Sequence, residues 1–317
     1  MTRSLLLDVF RIGAITLVFM AHFGQLLDAP LGDFFGIKNF YYVSLGGIGV
    51  TLFLVLSGLL AGLTDAPKRL SYGAYLLKKA RRIYPLYWLT LPLSILGYWL
   101  SGWLLEGDGP ALFPNGAGVD VLGSVTGFYA WWGMWGGPYN PPSWFIGLIL
   151  SMYAVFPLLA FCMKRRPHLT LGILFLVSVL SRWYVGQYGL PWLSSSWLDD
   201  VEGWVYRQFG FMPARPGDWF PLCRVFEFGA GMWLAMTLKP TVWSCLNVGS
   251  GRLVAFFSDL AFPMFLLHYP YLFLVQWMTE NGMPVMLAVG LFMVLLTLGA
   301  YGVSRLESRL LRKRPTT

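Results

Sequence analysis

LDVFRIGAITLVFMAHF, residues 7–23, decides the fold class of this chain. With its flanks it approaches the ~20 apolar residues a helix needs to cross the hydrocarbon core of a bilayer. Yet it carries Arg11 and His22, eleven positions apart. At ~100° per residue their offset is only about 20°, so a helix puts both on one face, ~17 Å apart along its axis. A guanidinium and an imidazole on one stripe of a membrane helix are costly, and such groups mark a site or a pathway. The expected fold is a polytopic helical membrane protein with its chemistry inside the bilayer.

The rest of the chain agrees. Mean hydropathy is +0.60, and charged residues make up 12% of the sequence. Spans are expected near 5–27, 41–63, 83–102, 143–163, 168–188, 221–238, 253–277 and 284–306. The fold class is therefore all-α, a transmembrane bundle of about 8–10 spans in one integral-membrane domain over 1–317. Weak alternation at strand period argues against an outer-membrane barrel. Segment 119–136 is apolar but short, and rich in Gly and Trp. A full crossing there would move Lys164, Arg165 and Arg166 outside, so a re-entrant or interfacial helix is expected. Eight spans then leave both termini cytoplasmic. Seventeen of the 23 Lys and Arg fall in cytoplasmic loops and ends, and only Lys38, Arg207 and Arg215 fall outside, as the positive-inside rule requires. That placement accounts for the net charge of +8 without a nucleic-acid partner. Glu106, Asp108, Asp199, Asp200, Glu202 and Asp218 fall mostly on the outer side. Asp8 and Arg11 interrupt the first segment and no small-x-small cleavage site follows, so it is expected to be retained as a span. Cys162, Cys223 and Cys245 are scattered and lack ligand spacing, so no metal is expected.

Three histidines occur. His168 lies in a basic loop, where solvent satisfies it. His22 and His268 lie inside expected spans at matching depth, toward the outer half. An imidazole can take and return a proton near neutral pH, which suits a general base; the other reading of His268 is a structural group bonded to a neighbouring helix. Asp8 and Arg11, and likewise Arg224 and Glu227, are three apart and can pair on one helix face. Such pairs neutralise charge inside a membrane whatever the function, although a held Arg11 can still face a ligand. Lys78, Lys79, Arg81 and Arg82 precede the third span at the cytoplasmic border. They fit either a topology anchor or a phosphate-binding patch. The small residues of 46–58 permit close helix approach or leave room for a narrow acyl chain. The outer loop 189–220 is rich in Trp, Pro and Gly. It reads either as an interfacial aromatic belt or as a surface on which sugar rings stack. The basic end, 305–314, reads as a cytoplasmic amphipathic anchor.

In order, these stretches resemble the acyltransferase family 3 membrane proteins, bacterial inner-membrane enzymes that O-acylate sugars of surface polysaccharides and related glycans. Residues 7–11, LDVFR, are similar to that family's opening LDxxR. Arg11 and His22 match its Arg-x10-His pair. Residues 46–58 are similar to its GGxGVxxFFVLSG stretch, and 81–88, RRIYPLYW, to its RRIxPxYW. Residues 224–235 are similar to its RxxEFxxGMxLA, and 265–270, FLLHYP, to its YLLHxP. Leu306 and Glu307 resemble its late VE element. Two positions depart from the pattern. Lys79 and Arg82 stand where the family often has Arg-x-x-Arg; lysine keeps the charge and gives up bidentate geometry. Ile149 stands where many members carry a glutamate, so no carboxylate acts there. The chain resembles the branch with a TrpPheLeu-type motif, which includes short exopolysaccharide acyltransferases, and no soluble SGNH domain is expected.

The resemblance implies acetyl-CoA, or another short acyl-CoA, as the donor, bound from the cytoplasm with Lys79, Arg82 and Arg81 at its phosphates. It implies His22 as general base or transient acyl carrier and Arg11 as a group that holds the donor or polarises its thioester. The implied acceptor is a lipid-linked oligosaccharide or nascent exopolysaccharide, with membrane lipids and polysaccharide-synthesis machinery as partners. Two rivals use the same residues differently. A glycolipid transporter or flippase would use the buried Arg and His as a substrate pathway, and a structural subunit of a polysaccharide synthase would not need His22.

Overall fold

The computed structural model of the chain describes residues 4–26, 45–64, 71–132, 136–188, 216–238, 249 and 251–312. Among the described residues all regular structure is helical. Most of the outer loop 189–220, with Asp199, Asp200, Glu202, Arg207 and Arg215, lies outside the described residues, as do Lys38, Cys245 and the final residues 313–317.

Helix α1 is Leu5–Leu26 and α2 is Leu45–Thr64. Helix α3 is Tyr72–Ser101, prolonged by a π turn over Gly102–Glu106. A short α4, Ala117–Thr126, precedes α5, Trp144–Arg165, and α6, Pro167–Tyr188. Then follow α7, Pro221–Thr237, α8, Arg252–His268, α9, Phe273–Glu280, and α10, Val285–Arg312. Seven stretches are long and apolar enough to cross a membrane: those built on α1, α2, α3, α5, α6, α8 and α10. Helix α7 has 17 residues, about 26 Å at 1.5 Å per residue, and packs along α2. It is the eighth element of the bundle. We call the end where α1 begins the near end, and the end where it finishes the far end.

The third expected span is longer than 83–102. Ser71 accepts a hydrogen bond from the Ala74 amide and starts the helix at Tyr72. Lys78, Lys79, Arg81 and Arg82 therefore lie in helix, not in a loop. Basic side chains set where a helix leaves hydrocarbon, but they do not end it. The expected span 253–277 breaks after His268, because Pro270 has no amide hydrogen with which to continue the ladder.

Glycines set the spacing of the bundle. A Cβ on Gly58 would lie 1.9 Å from the Phe228 carbonyl oxygen, and one on Gly231 would lie 2.0 Å from that of Val55. Helices α2 and α7 therefore touch backbone to backbone, and run parallel. Gly49 meets Ala14 and Val18 of α1 in the same way. The small residues of 46–58 are occupied by helix packing, which is how membrane helices gain close van der Waals contact.

The described residues of segment 107–143, namely 107–132 and 136–143, dip into the bundle and return. Tyr98 donates to the Ala111 carbonyl at 3.4 Å, and its ring meets that of Tyr139 at 5.4 Å. Between those points α4 descends along α3 to the level of Tyr84. Its last four carbonyls are all satisfied: Gly123 by the Gly127 amide, and Ser124, Val125 and Thr126 by Tyr87, Trp88 and Tyr84 of α3. Four such groups are left open at every helix C-terminus, and here the YPLYW residues of α3 close three of them. Tyr98 and Tyr84 are fourteen positions apart, so the descent is about 21 Å. The segment enters and leaves on the same side, which makes it re-entrant.

Asp120, fully buried, holds this segment together. It accepts from the Asn115 backbone and side-chain amides at 3.0 Å and from the Tyr129 hydroxyl. Replacing Asp120 by Ala strands these donors at about 1–3 kcal/mol each. We expect Asp120→Ala to lower the melting temperature followed by tryptophan fluorescence, with Asp120→Asn milder; an unchanged melting temperature would mean that the segment is held otherwise.

Candidate active site

Arg11 and His22 both face α8. The Arg11 guanidinium lies 3.2 Å from the Asp8 carboxylate and 3.5 Å from the Ser258 hydroxyl. Ser258 in turn donates to Asp8 at 2.7 Å. Asp8 is buried, and Arg11 keeps 28% of its side chain exposed. Eleven residues farther along α1, Nδ1 of His22 lies 2.8 Å from Nε2 of His268. Ser258 and His268 are ten residues apart, so α1 and α8 run parallel with a charged cluster and an imidazole pair about 15 Å apart. An apolar cleft of about 470 Å³ runs between the two levels, lined by Ile12, Ile15, Phe19, Phe257, Met264 and Met293 among others.

Aromatic rings pack against both imidazoles. The two His rings stack with centroids 5.0 Å apart, and the Tyr269 ring stands edge-on to His22 at 5.1 Å. Phe19 and Phe265 pack on His268 at 4.8 and 5.8 Å. His268 is buried, and its Nδ1 lies 2.6 Å from the Phe265 carbonyl oxygen. The turn that carries it is anchored from two sides. Pro270 leaves the Leu266 carbonyl without its helical partner, and Asn140 of the re-entrant segment donates to that oxygen at 2.8 Å. The Tyr271 hydroxyl donates to the Leu93 carbonyl of α3 at 2.9 Å.

Arg224 and Glu227 pair as their spacing requires, Nε to Oε1 at 3.4 Å. Arg224 also donates to Thr51 of α2 at 3.1 Å. Sequence reasoning missed Arg182, which donates to the Glu227 carboxylate at 2.6 Å and to the Cys223 carbonyl at 2.8 Å. The available signal was a lone Arg in the apolar run LFLVSVLSRWY of α6. One carboxylate between two guanidiniums ties α2, α6 and α7 together. The structure does not bring this cluster into contact with His22: α2 stands between them.

The basic quartet of α3 does not present a single face. Lys79 is buried, with its ammonium 4.4 Å from the Tyr153 ring centroid and 5.5 Å from that of Tyr75. Lys78, Arg81 and Arg82 are exposed. Ile149 is buried in the core. His168 is exposed at the start of α6, where its Nδ1 accepts from the Trp233 indole at 3.3 Å.

The sequence matches the acyltransferase domain family over residues 5–241. The chain belongs to this family. The match takes in α1 to α7, with Arg11 and His22, and stops before α8, so the imidazole pair of this acyltransferase family member is completed from beyond the matched segment. Over 106 residues the chain is 35% identical to an O-acetyl transferase of Shigella phage Sf6, a match that takes in 33% of this chain and 29% of the phage protein. It thus spans less than a third of that relative's length. No solved structure matches.

Proposed function

We propose that this membrane acyltransferase moves an acetyl or other short acyl group from acyl-CoA to a sugar hydroxyl of an exopolysaccharide or lipid-linked glycan. The observation that carries the proposal is the His22 imidazole, set at the far end of the bundle against a second, buried imidazole. His22 removes the proton from the sugar hydroxyl as the oxygen attacks the thioester carbonyl. The carbon–sulfur bond breaks, and the proton returns to the departing thiolate. An acyl-His22 intermediate is the alternative course for the same residue. Arg11, oriented by Asp8 and Ser258, holds the donor or polarises its carbonyl. The phage relative's printed activity favours acetyl as the group.

In this reading the near end, with both termini, faces the cytoplasm of a bacterial inner membrane, and the excess of Lys and Arg in the loops at that end supports the orientation. The donor enters there. Arg82 and Arg81 pair with its phosphates from the exposed side of α3, and Lys79 supplies charge from inside the bundle. Arg82→Ala is then expected to raise KM for acyl-CoA roughly tenfold with kcat little changed, the scale of one charge-assisted contact in partial exposure. An unchanged KM would leave Arg82 as a topology anchor.

The deciding experiment is proton NMR of the surface polysaccharide from wild type, a deletion strain and a deletion carrying His22→Ala. An O-acyl signal lost in both mutants supports the reading and names the acyl group. Polysaccharide absent altogether would instead place the protein in transport or assembly.

A further inference from the structure

We infer that His268 is the positioning residue of the site: it fixes His22 in the tautomer with its proton on Nδ1 and its lone pair on Nε2. The inference rests on the proposed role of His22 and says which atom performs it. A carbonyl oxygen only accepts hydrogen bonds. The 2.6 Å contact from His268 Nδ1 to the Phe265 carbonyl therefore places a proton on that nitrogen. In the neutral ring the lone pair of His268 is then on Nε2. That atom lies 2.8 Å from Nδ1 of His22, so His22 donates there and its Nδ1 carries the proton. The remaining nitrogen, Nε2, is the basic one.

The same bond strengthens as the reaction proceeds. When Nε2 takes the hydroxyl proton, His22 becomes a cation, and its Nδ1–H to His268 becomes charge-assisted, about twice as strong as a neutral bond. No carboxylate is required for this. Asp8 lies fourteen residues before His22 on α1, about 21 Å along the axis, engaged with Arg11 and Ser258. Orientation of a catalytic imidazole by a second group is a general device, and here the second group is neutral, as suits an apolar enclosure. The backbone fixes His268 in turn. Its ring is locked by a carbonyl of its own helix, and its turn is held by Asn140 and Tyr271.

Three variants and one spectrum test this. A Gln side-chain oxygen at 268 reaches the place of Nε2 and keeps the acceptor; Asn and Phe do not. We expect His268→Gln to retain kcat within roughly tenfold, and His268→Asn and His268→Phe to lose roughly 10²–10⁴-fold, the range of general-base catalysis, with KM for acyl-CoA unchanged. Nitrogen NMR of 15N-histidine-labelled protein reads the tautomer directly, since the chain has only three histidines. The expected signal is His22 protonated at Nδ1 and bare at Nε2. A wild-type His22 protonated at Nε2 overturns the inference whether or not the variants fold. So does His268→Phe with wild-type kcat. If His22→Ala keeps full activity, it is the role of His22 that fails, and the spectrum still decides the tautomer.

Discussion

His22→Ala is expected to abolish acyl transfer while the protein still accumulates in the membrane. The side chain is only partly enclosed and makes one hydrogen bond, to His268. Removing it strands the buried Nε2 of His268, at a cost of about 1–3 kcal/mol. That is a tolerable loss for a bundle of this size. The rate suffers more. Without a base at the hydroxyl the transfer loses roughly 10²–10⁴-fold, and without an acyl carrier it stops. Acyl-CoA-dependent labelling of glycan in membranes, normalised to protein level, measures this. Labelling at the wild-type rate would remove His22 from the mechanism. Arg11→Ala is expected to slow transfer too, because Asp8 and Ser258 hold that guanidinium in place; wild-type labelling would leave Arg11 as charge neutralisation.

Gly231→Val carries the largest expected effect on folding. Its Cβ would sit 2.0 Å from the Val55 carbonyl oxygen and 2.7 Å from the Leu59 amide nitrogen. Both are backbone atoms of α2, so no rotamer change relieves the overlap. Helices α2 and α7 must part by more than an ångström, and the contacts along their shared face weaken together. Overpacking costs about 1–3 kcal/mol where side chains can yield, and rigid backbone yields less. The separation also pulls Arg224 from Thr51. Gly231→Val is expected to fail to accumulate, or to elute as aggregate in detergent. Gly13→Ala is the control. Nothing lies within 4 Å of its Cβ, and Ala is favoured over Gly in a helix interior by about 1 kcal/mol. Equal accumulation of the two variants would show that the helix contact is not tight.

The two predictions draw on different kinds of information, and the division runs through the whole molecule. Membrane spans are legible in the sequence because the cost of leaving hydrocarbon is paid residue by residue within one segment. The faces of α1 are legible too, since a helix has a fixed angle per residue. Arg11 and His22 share a stripe for that reason, and Asp8 pairs with Arg11 for the same one. The re-entrant course of 107–143 was half legible. Its short length and the charges at 164–166 argued against a crossing, but the three aromatic donors of α3 that close its carbonyls could not be seen in it.

What the sequence determined by itself is the helical membrane fold, the small residues where helices meet, and a polar stripe on α1, all properties of a single segment. Only the tertiary structure decided the partners. His22 meets His268 across 246 residues, Asn140 meets Leu266 across 126, and Arg182 meets Glu227 across 45. It also decided that Lys79 turns inward onto Tyr153 while Arg82 stays outside, although both belong to one basic run. Local chemistry fixes that a charged or titratable group in a membrane needs a partner. Which group answers depends on how distant helices pack, and that is set by shape over the whole bundle.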